Sequence, residues 1–214
     1  MKKFLCLFLT IILVAGLCAC GGNGDVRGET PAESTPEFSL GGTNNNTYKN
    51  DFLGISCTLP SEWVFYTDEQ ILELNNIVGD VIDEDIAEQL KNAKIIYDMY
   101  VTEPGVGNSI NVNMEKLNAL QIVGLNIKNT LEAQMDTIRD AYTGMGYTNI
   151  NIGYQKVTVD GKEFDGMRVT ANYQGVNLYL TVFTFLRGSY LANVTVSSLQ
   201  TDITDTILGY FTVK

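Results

Sequence analysis

Between Tyr147 and Leu199 the chain alternates apolar and polar residues with hardly a pause, and three dipeptides ending in glycine interrupt it: Asp160-Gly161, Gln174-Gly175 and Arg187-Gly188. Tight two-residue reversals need a positive φ that glycine adopts freely, and these three stand at near-hairpin spacing. Four strands in a meander follow, which commits the chain to an antiparallel sheet. The strand from Leu178 to Leu186 is apolar on both faces, with Leu178, Leu180, Val182 and Leu186 one way and Tyr179, Phe183 and Phe185 the other. Such a strand is central and covered on both sides. Met167, Val169, Ala171 and Tyr173 alternate with Arg168, Thr170 and Asn172, as a half-exposed strand does.

Earlier elements follow from the same periodicities. Tyr48 to Pro60 reads as two short extended pieces joined near Gly54 and stopped by Pro60. Thr67-Asp68-Glu69-Gln70 has capping-box spacing and starts a helix that Gly79-Asp80 breaks. A second short helix takes Ile82, Ile86 and Leu90 onto one face. From Lys94 the period becomes two, through Ile95, Tyr97, Met99 and Val101, a turn at Glu103 to Asn108, and Ile110, Val112 and Met114. Asn111, Asn113 and Glu115 then form the solvated face of this hairpin. Ile127, Leu131, Met135, Ile138 and Tyr142 recur at helical spacing ahead of Gly144 and Gly146. A last helix puts Ile203, Ile207 and Phe211 on one face. The expected fold is α+β: a single domain, mainly antiparallel β-sheet flanked by α-helices.

The other end of the chain sets its address. Lys2 and Lys3 precede an apolar run from Phe4 to Leu17, too short to span a membrane comfortably and closed by small residues, as in a secretory signal. Leu17-Cys18-Ala19-Cys20 resembles a bacterial lipobox. Cys20 is the acceptor, because Ala19 before it is small whereas Cys18 follows Leu17. The resemblance implies cleavage after residue 19 and a diacylglyceryl group on Cys20; two acyl chains of the palmitate type anchor stably. The mature chain is then held at the extracytoplasmic face of a bacterial, Gram-positive type, cell membrane. Residues 20–46, with Gly21 to Asn46 rich in Gly, Ser, Thr and Asn, read as a flexible tether, and 47–214 as the globular domain.

Loss of Lys2 and Lys3 moves the formal charge from −11 to −13, which speaks against nucleic acid or anionic lipid headgroups as the main partner, since both need clustered positive charge. The chain has no histidine, so nucleophile–histidine pairs and histidine metal sites are excluded. Once Cys20 is acylated, Cys57 is the one thiol left, set in the apolar pattern of Ile55 to Leu59 as a small buried hydrophobe. Asp80 to Asp85 is the nearest approach to a calcium loop, and it lacks the sixth-position glycine and distal glutamate. No catalytic residue, metal or cofactor is singled out. Tyr147, Tyr154, Tyr173, Tyr179 and Tyr190 are the aromatic residues from which an exposed sugar or peptide platform could be built.

Leu53-Gly54-Ile55 followed by Leu59-Pro60-Ser61-Glu62-Trp63 resembles the opening of the PsbP/Mog1-like fold, and the element order is similar to that fold's. The resemblance implies structural work for Pro60 and Trp63 and transfers no catalytic residue. The expected function is a membrane-anchored, non-catalytic binding or accessory module for an envelope protein, peptide or glycan. The alternative is an envelope hydrolase acting through two carboxylates, at least one with a raised pKa, about 5 to 10 Å apart.

Overall fold

The computed structural model describes residues 37–75 and 93–214. The signal segment, Cys20, the Asp80 to Asp85 stretch and the helix expected around Ile82 to Leu90 lie outside the described residues. The domain is α+β and mainly antiparallel. Its larger sheet has seven strands in the order β4-β5-β6-β10-β9-β8-β7, and a second sheet of four has the order β1-β2-β3-β11.

In the large sheet, β4 (Val64–Phe65), β5 (Ile95–Glu103) and β6 (Asn108–Lys116) precede the meander β7 (Thr148–Val159), β8 (Lys162–Tyr173), β9 (Val176–Arg187) and β10 (Tyr190–Leu199). Asp160-Gly161 and Gln174-Gly175 carry positive φ at both positions, the geometry whose twist matches the flanking strands, and Gly188 opens the third reversal with a positive φ. The smaller sheet is β1 (Gly42–Asn44), β2 (Thr47–Asn50), β3 (Ile55–Thr58) and β11 (Phe211–Val213). The expected α+β domain of mainly antiparallel β-sheet is present, with its strands divided between two sheets. Phe211 belongs to a strand paired with Cys57, not to the last helix, α4 (Thr204–Leu208).

The remaining helices are α1 (Asp68–Leu74), α2 (Ala119–Val123) and α3 (Ile127–Gly144). The capping box expected at Thr67 is present: Gln70 N donates to Thr67 Oγ1 and Thr67 N to Gln70 Oε1. α2 was not foreseen; Asn118 caps it in the same reciprocal way through Gln121.

Two cores lie on opposite faces of the large sheet. On one, Tyr48, Ile55, Cys57 and Phe211 of the small sheet pack against Ile96, Val112, Phe183 and Val194. On the other, Leu131, Ile138 and Tyr142 of α3 cover Met167, Val169, Leu180 and Val182. Both faces of β9 are thereby used, as its double apolar pattern demands. The supposedly solvated face of β6 is buried instead: Asn111, Asn113 and Glu115 are 4%, 1% and 1% exposed. Cross-strand register lets these polar groups serve one another. Thr184 Oγ1 donates to Asn193 Oδ1 (2.9 Å), Asn193 Nδ2 to Asn113 Oδ1 (3.2 Å) and Asn113 Nδ2 to Asn111 Oδ1 (3.3 Å).

Residues assigned to the tether join the domain. Phe38 stacks on Tyr190 with ring centroids 4.6 Å apart and meets Phe52 edge-on. β1 pairs with β2, and Gly41 N donates to both carboxylate oxygens of Asp98 (2.9 and 3.1 Å). A register shift between Tyr97 and Met99 inserts Asp98 into β5 as an extra residue. Such a bulge re-aims one side chain, and here it turns Asp98 onto the small sheet.

Candidate binding trough on the open face of the large sheet

The small sheet is narrower than the large one: its core takes in Val157, Val159 and Phe164 at one end of β7 and β8, and the other end of that face stays open. Register places Asn151, Thr170 and Tyr179 side by side across β7, β8 and β9, and Asn172 beside Asn177 one pair further along. With Asn149 they line a hollow of about 240 Å³. Asn172 Nδ2 donates to Asn177 Oδ1 (2.9 Å), while Asn172 Oδ1 accepts the Gly175 N–H (3.0 Å), so the floor is prearranged by the hairpin itself. Tyr179 is half-buried and lines the hollow.

Further down the same face, Gln155, Val157, Arg168, Asp205 and Leu208 line a second hollow of about 400 Å³. Between the two lies the pair Gly153 and Arg168. A Cβ on Gly153 would meet nothing within 4 Å. Along β7 the trough extends over residues 149–158, roughly 30 Å at strand rise.

The charges at the trough are engaged. Arg168 forms a close ion pair with Asp202, reaches Asp205 at 3.6 Å and donates to Thr204 Oγ1 (3.4 Å). Burial would push the Asp202 carboxyl up, but the hydrogen bonds from Arg168 and Thr204 outweigh it and hold the group below the ordinary carboxylate range. On the opposite, α3-facing side of the same strands, Lys156 donates to Asp165 (2.8 Å), as does the Tyr154 hydroxyl (2.5 Å). Those bonds likewise override burial and lower the Asp165 carboxyl, while the Asp165 hydrogen bond raises Lys156.

Among the described residues, the carboxyl displaced upward is Asp98, chiefly by burial, and it is sealed beneath the small sheet. There Gly41 N, Asn50 Nδ2 (2.7 Å) and the Tyr48 hydroxyl all donate to it. This is an anchor for the first two strands. No group of three or more potential metal-binding side chains occurs among the described residues.

The five tyrosines do not gather into one platform. Tyr147 and Tyr173 meet with centroids 5.1 Å apart beside Tyr142, Tyr154 faces the α3 side, Tyr190 is buried under Phe38, and Tyr179 alone of the five lines the trough. The asparagines that do the lining carried no motif. Their signal was the polar member of each alternating pair on β7 and β8, visible as a pattern and mute about what would be left uncovered. Cys57 is buried as expected, and burial pushes its thiol up to about 12.

No family model matches the chain, and neither does any curated protein. Among solved structures, one from Bacteroides thetaiotaomicron VPI-5482 is similar at 10% identity and a TM-score of 0.38, over 75% of this chain and 45% of that one. The chain thus spans less than half the length of that structure, and the trough is read from its own geometry.

Proposed function

We propose that the protein is a lipoprotein held through Cys20 at the extracytoplasmic face of a bacterial membrane, and that its domain is a non-catalytic module binding a glycan in the trough. The observation that carries the reading is the hollow of Asn149, Asn151, Thr170, Asn172, Asn177 and Tyr179: amides, a hydroxyl and one aromatic ring, with no ionisable group but the phenol. Sugar hydroxyls both donate and accept, and a carboxamide offers both partners on one planar group. An aromatic ring supplies an apolar face for a sugar's C–H surface, and few polar groups on a rigid floor fix orientation. The extended shape suits an oligosaccharide. The hydrolase alternative needs an accessible carboxyl with a raised pKa beside a second, whereas the Asp202 carboxyl paired with Arg168 is lowered.

The reading is tested by titrating the mature protein with a panel of neutral and amino-sugar oligosaccharides by calorimetry. Asn151→Ala and Asn177→Ala should each weaken binding about 2- to 10-fold, the worth of one hydrogen bond, and Tyr179→Ala by about 10-fold. Their thermal midpoints should stay near that of the parent. Absence of saturable binding across the panel, or binding indifferent to all three substitutions, would sink the proposal. The kinship to PsbP/Mog1-like domains is part of the same proposal and rests on the Leu53 to Trp63 pattern and the element order.

A further inference from the structure

The tether joins the fold at a definable end of the domain. Phe38 stacks on Tyr190, which stands in register with Lys116 on one side and Arg187 on the other. Leu117 N donates to the Ser189 carbonyl (2.8 Å), and Lys116 N to the Lys94 carbonyl (2.9 Å). Helix α2 begins two residues after Leu117, and α3 begins four residues after α2 ends. The folded end of the tether, the β9–β10 reversal, α2 and the first turn of α3 therefore share one end of the molecule. The Glu103 to Asn108 and Gln174-Gly175 turns lie at the other.

On α2, Leu120 and Val123 stand three residues apart, on one helical face, 84% and 88% exposed. Every other exposed large apolar side chain among the described residues is 36–54% exposed. Lys94, Lys116, Arg187 and Lys128 are set around this end, with Glu115 beside Lys94, Glu132 beside Lys128, and Asp160 and Glu163 at the β7–β8 reversal of the same end. About 17 residues separate Cys20 from Phe38, a coil reaching roughly 20 to 25 Å.

We infer that this end of the domain docks on the bilayer surface, with Leu120 and Val123 inserted at the boundary of headgroups and acyl chains and the surrounding cations in the headgroup layer. The inference rests on the anchoring through Cys20 proposed above. Two aliphatic side chains are a weak membrane ligand alone. A short tether makes their encounter intramolecular, so a contact negligible in free solution becomes populated. Docking also leaves the asparagine-lined hollow at the end away from the lipid, because Asn149, Asn172 and Asn177 flank the distal turns.

The test uses full-length, lipidated protein on vesicles of phosphatidylcholine and phosphatidylglycerol, with a nitroxide at Leu120→Cys or, as control, at Val106→Cys in the distal turn. Both positions are exposed, and Cys57 is buried, so either label leaves the fold intact. Collision with a water-soluble nickel chelate should be at least about threefold lower at position 120 than at 106, and collision with oxygen higher, as expected for a group at the interface. Protein that does not float with the vesicles overturns anchoring and docking together. Protein that floats with its position-120 label as open to nickel as position 106 overturns docking and leaves anchoring standing. Shielding of position 120 that depends on protein concentration and not on vesicles assigns the patch to a second copy and overturns the inference as well.

Discussion

Asp98 shows how one residue can hold a segment that composition assigns to a tether. Its carboxylate accepts hydrogen bonds from Gly41, Tyr48 and Asn50, all from the small sheet and its approach. Asp98→Asn replaces one acceptor by a donor facing donors, and should cost about 2 kcal/mol in urea unfolding. The pH dependence has a definite sign. Burial raises the folded pKa above the ordinary 3.8, so folding favours the protonated form. Asp98 therefore contributes most at pH below 3.8, and the contribution falls as pH rises through the folded pKa. The stability gap between parent and Asp98→Asn should narrow over that interval; a gap that widens would show the hydrogen bonds outweighing burial. Cys57 gives a simpler check. With its thiol buried and its pKa near 12, a disulfide reagent at neutral pH should label it only as fast as the domain unfolds, and rapid labelling of native protein would contradict the packing.

At the scale of elements, the strands of the meander depend on a glycine whose role is steric. On β8, Gly166 sits where a Cβ would run into the Val182 carbonyl of β9 and a methyl of Val157 on β7. Gly166→Ala should lower stability by about 2 kcal/mol or more, since neither backbone nor packed valine can yield cheaply. The control is Gly153→Ala on the neighbouring strand, where a Cβ meets nothing and the change should be neutral or slightly stabilising. Equal losses from the two would refute the steric account. Elements of this kind were legible in the sequence because they obey local rules: the two-period of β5 to β10, the Thr67 capping box and the heptad-like face of α3 are each written within a dozen residues. β1, β4, α2 and β11 were not: all four are short, and β4 and β11 pair with strands far along the chain. The buried amide row failed for the same reason. Asn111 and Asn113 read as solvated because the groups that satisfy them, Asn193 and Thr184, arrive about 80 residues later or through a further strand.

For the whole molecule, the boundary matters more than the count of strands. A fragment of residues 47–214, the span the composition suggests, lacks Phe38, β1 and the two hydrogen bonds that Gly41 donates to Asp98. Compared with residues 37–214 it should be about 3 kcal/mol less stable, from partial exposure of the Phe52 and Tyr190 rings and an under-served buried carboxylate. Indistinguishable urea midpoints would mean that the first ten residues of the domain are passengers. The trough itself was legible only in part. Arg168, Thr170 and Asn172 read as the open face of a strand, but that face is a trough only because a four-stranded sheet is too narrow to cover seven strands.

The pairing of β11 with β3 sets the order in which the molecule can be assembled. Ser56 and Thr212 meet across 156 residues, whereas the β7 to β10 meander closes through three two-residue reversals. The meander and α3 can form from neighbouring chain, but the small sheet has to wait for the last strand, and loop closure over that distance is slow. The apolar floor beneath the small sheet, including Phe183 and Val194, stays open until Phe211 is in place. A chain cut short by a few residues would therefore present to quality-control proteases a preformed half-domain with its core face exposed, and not a slightly weakened whole.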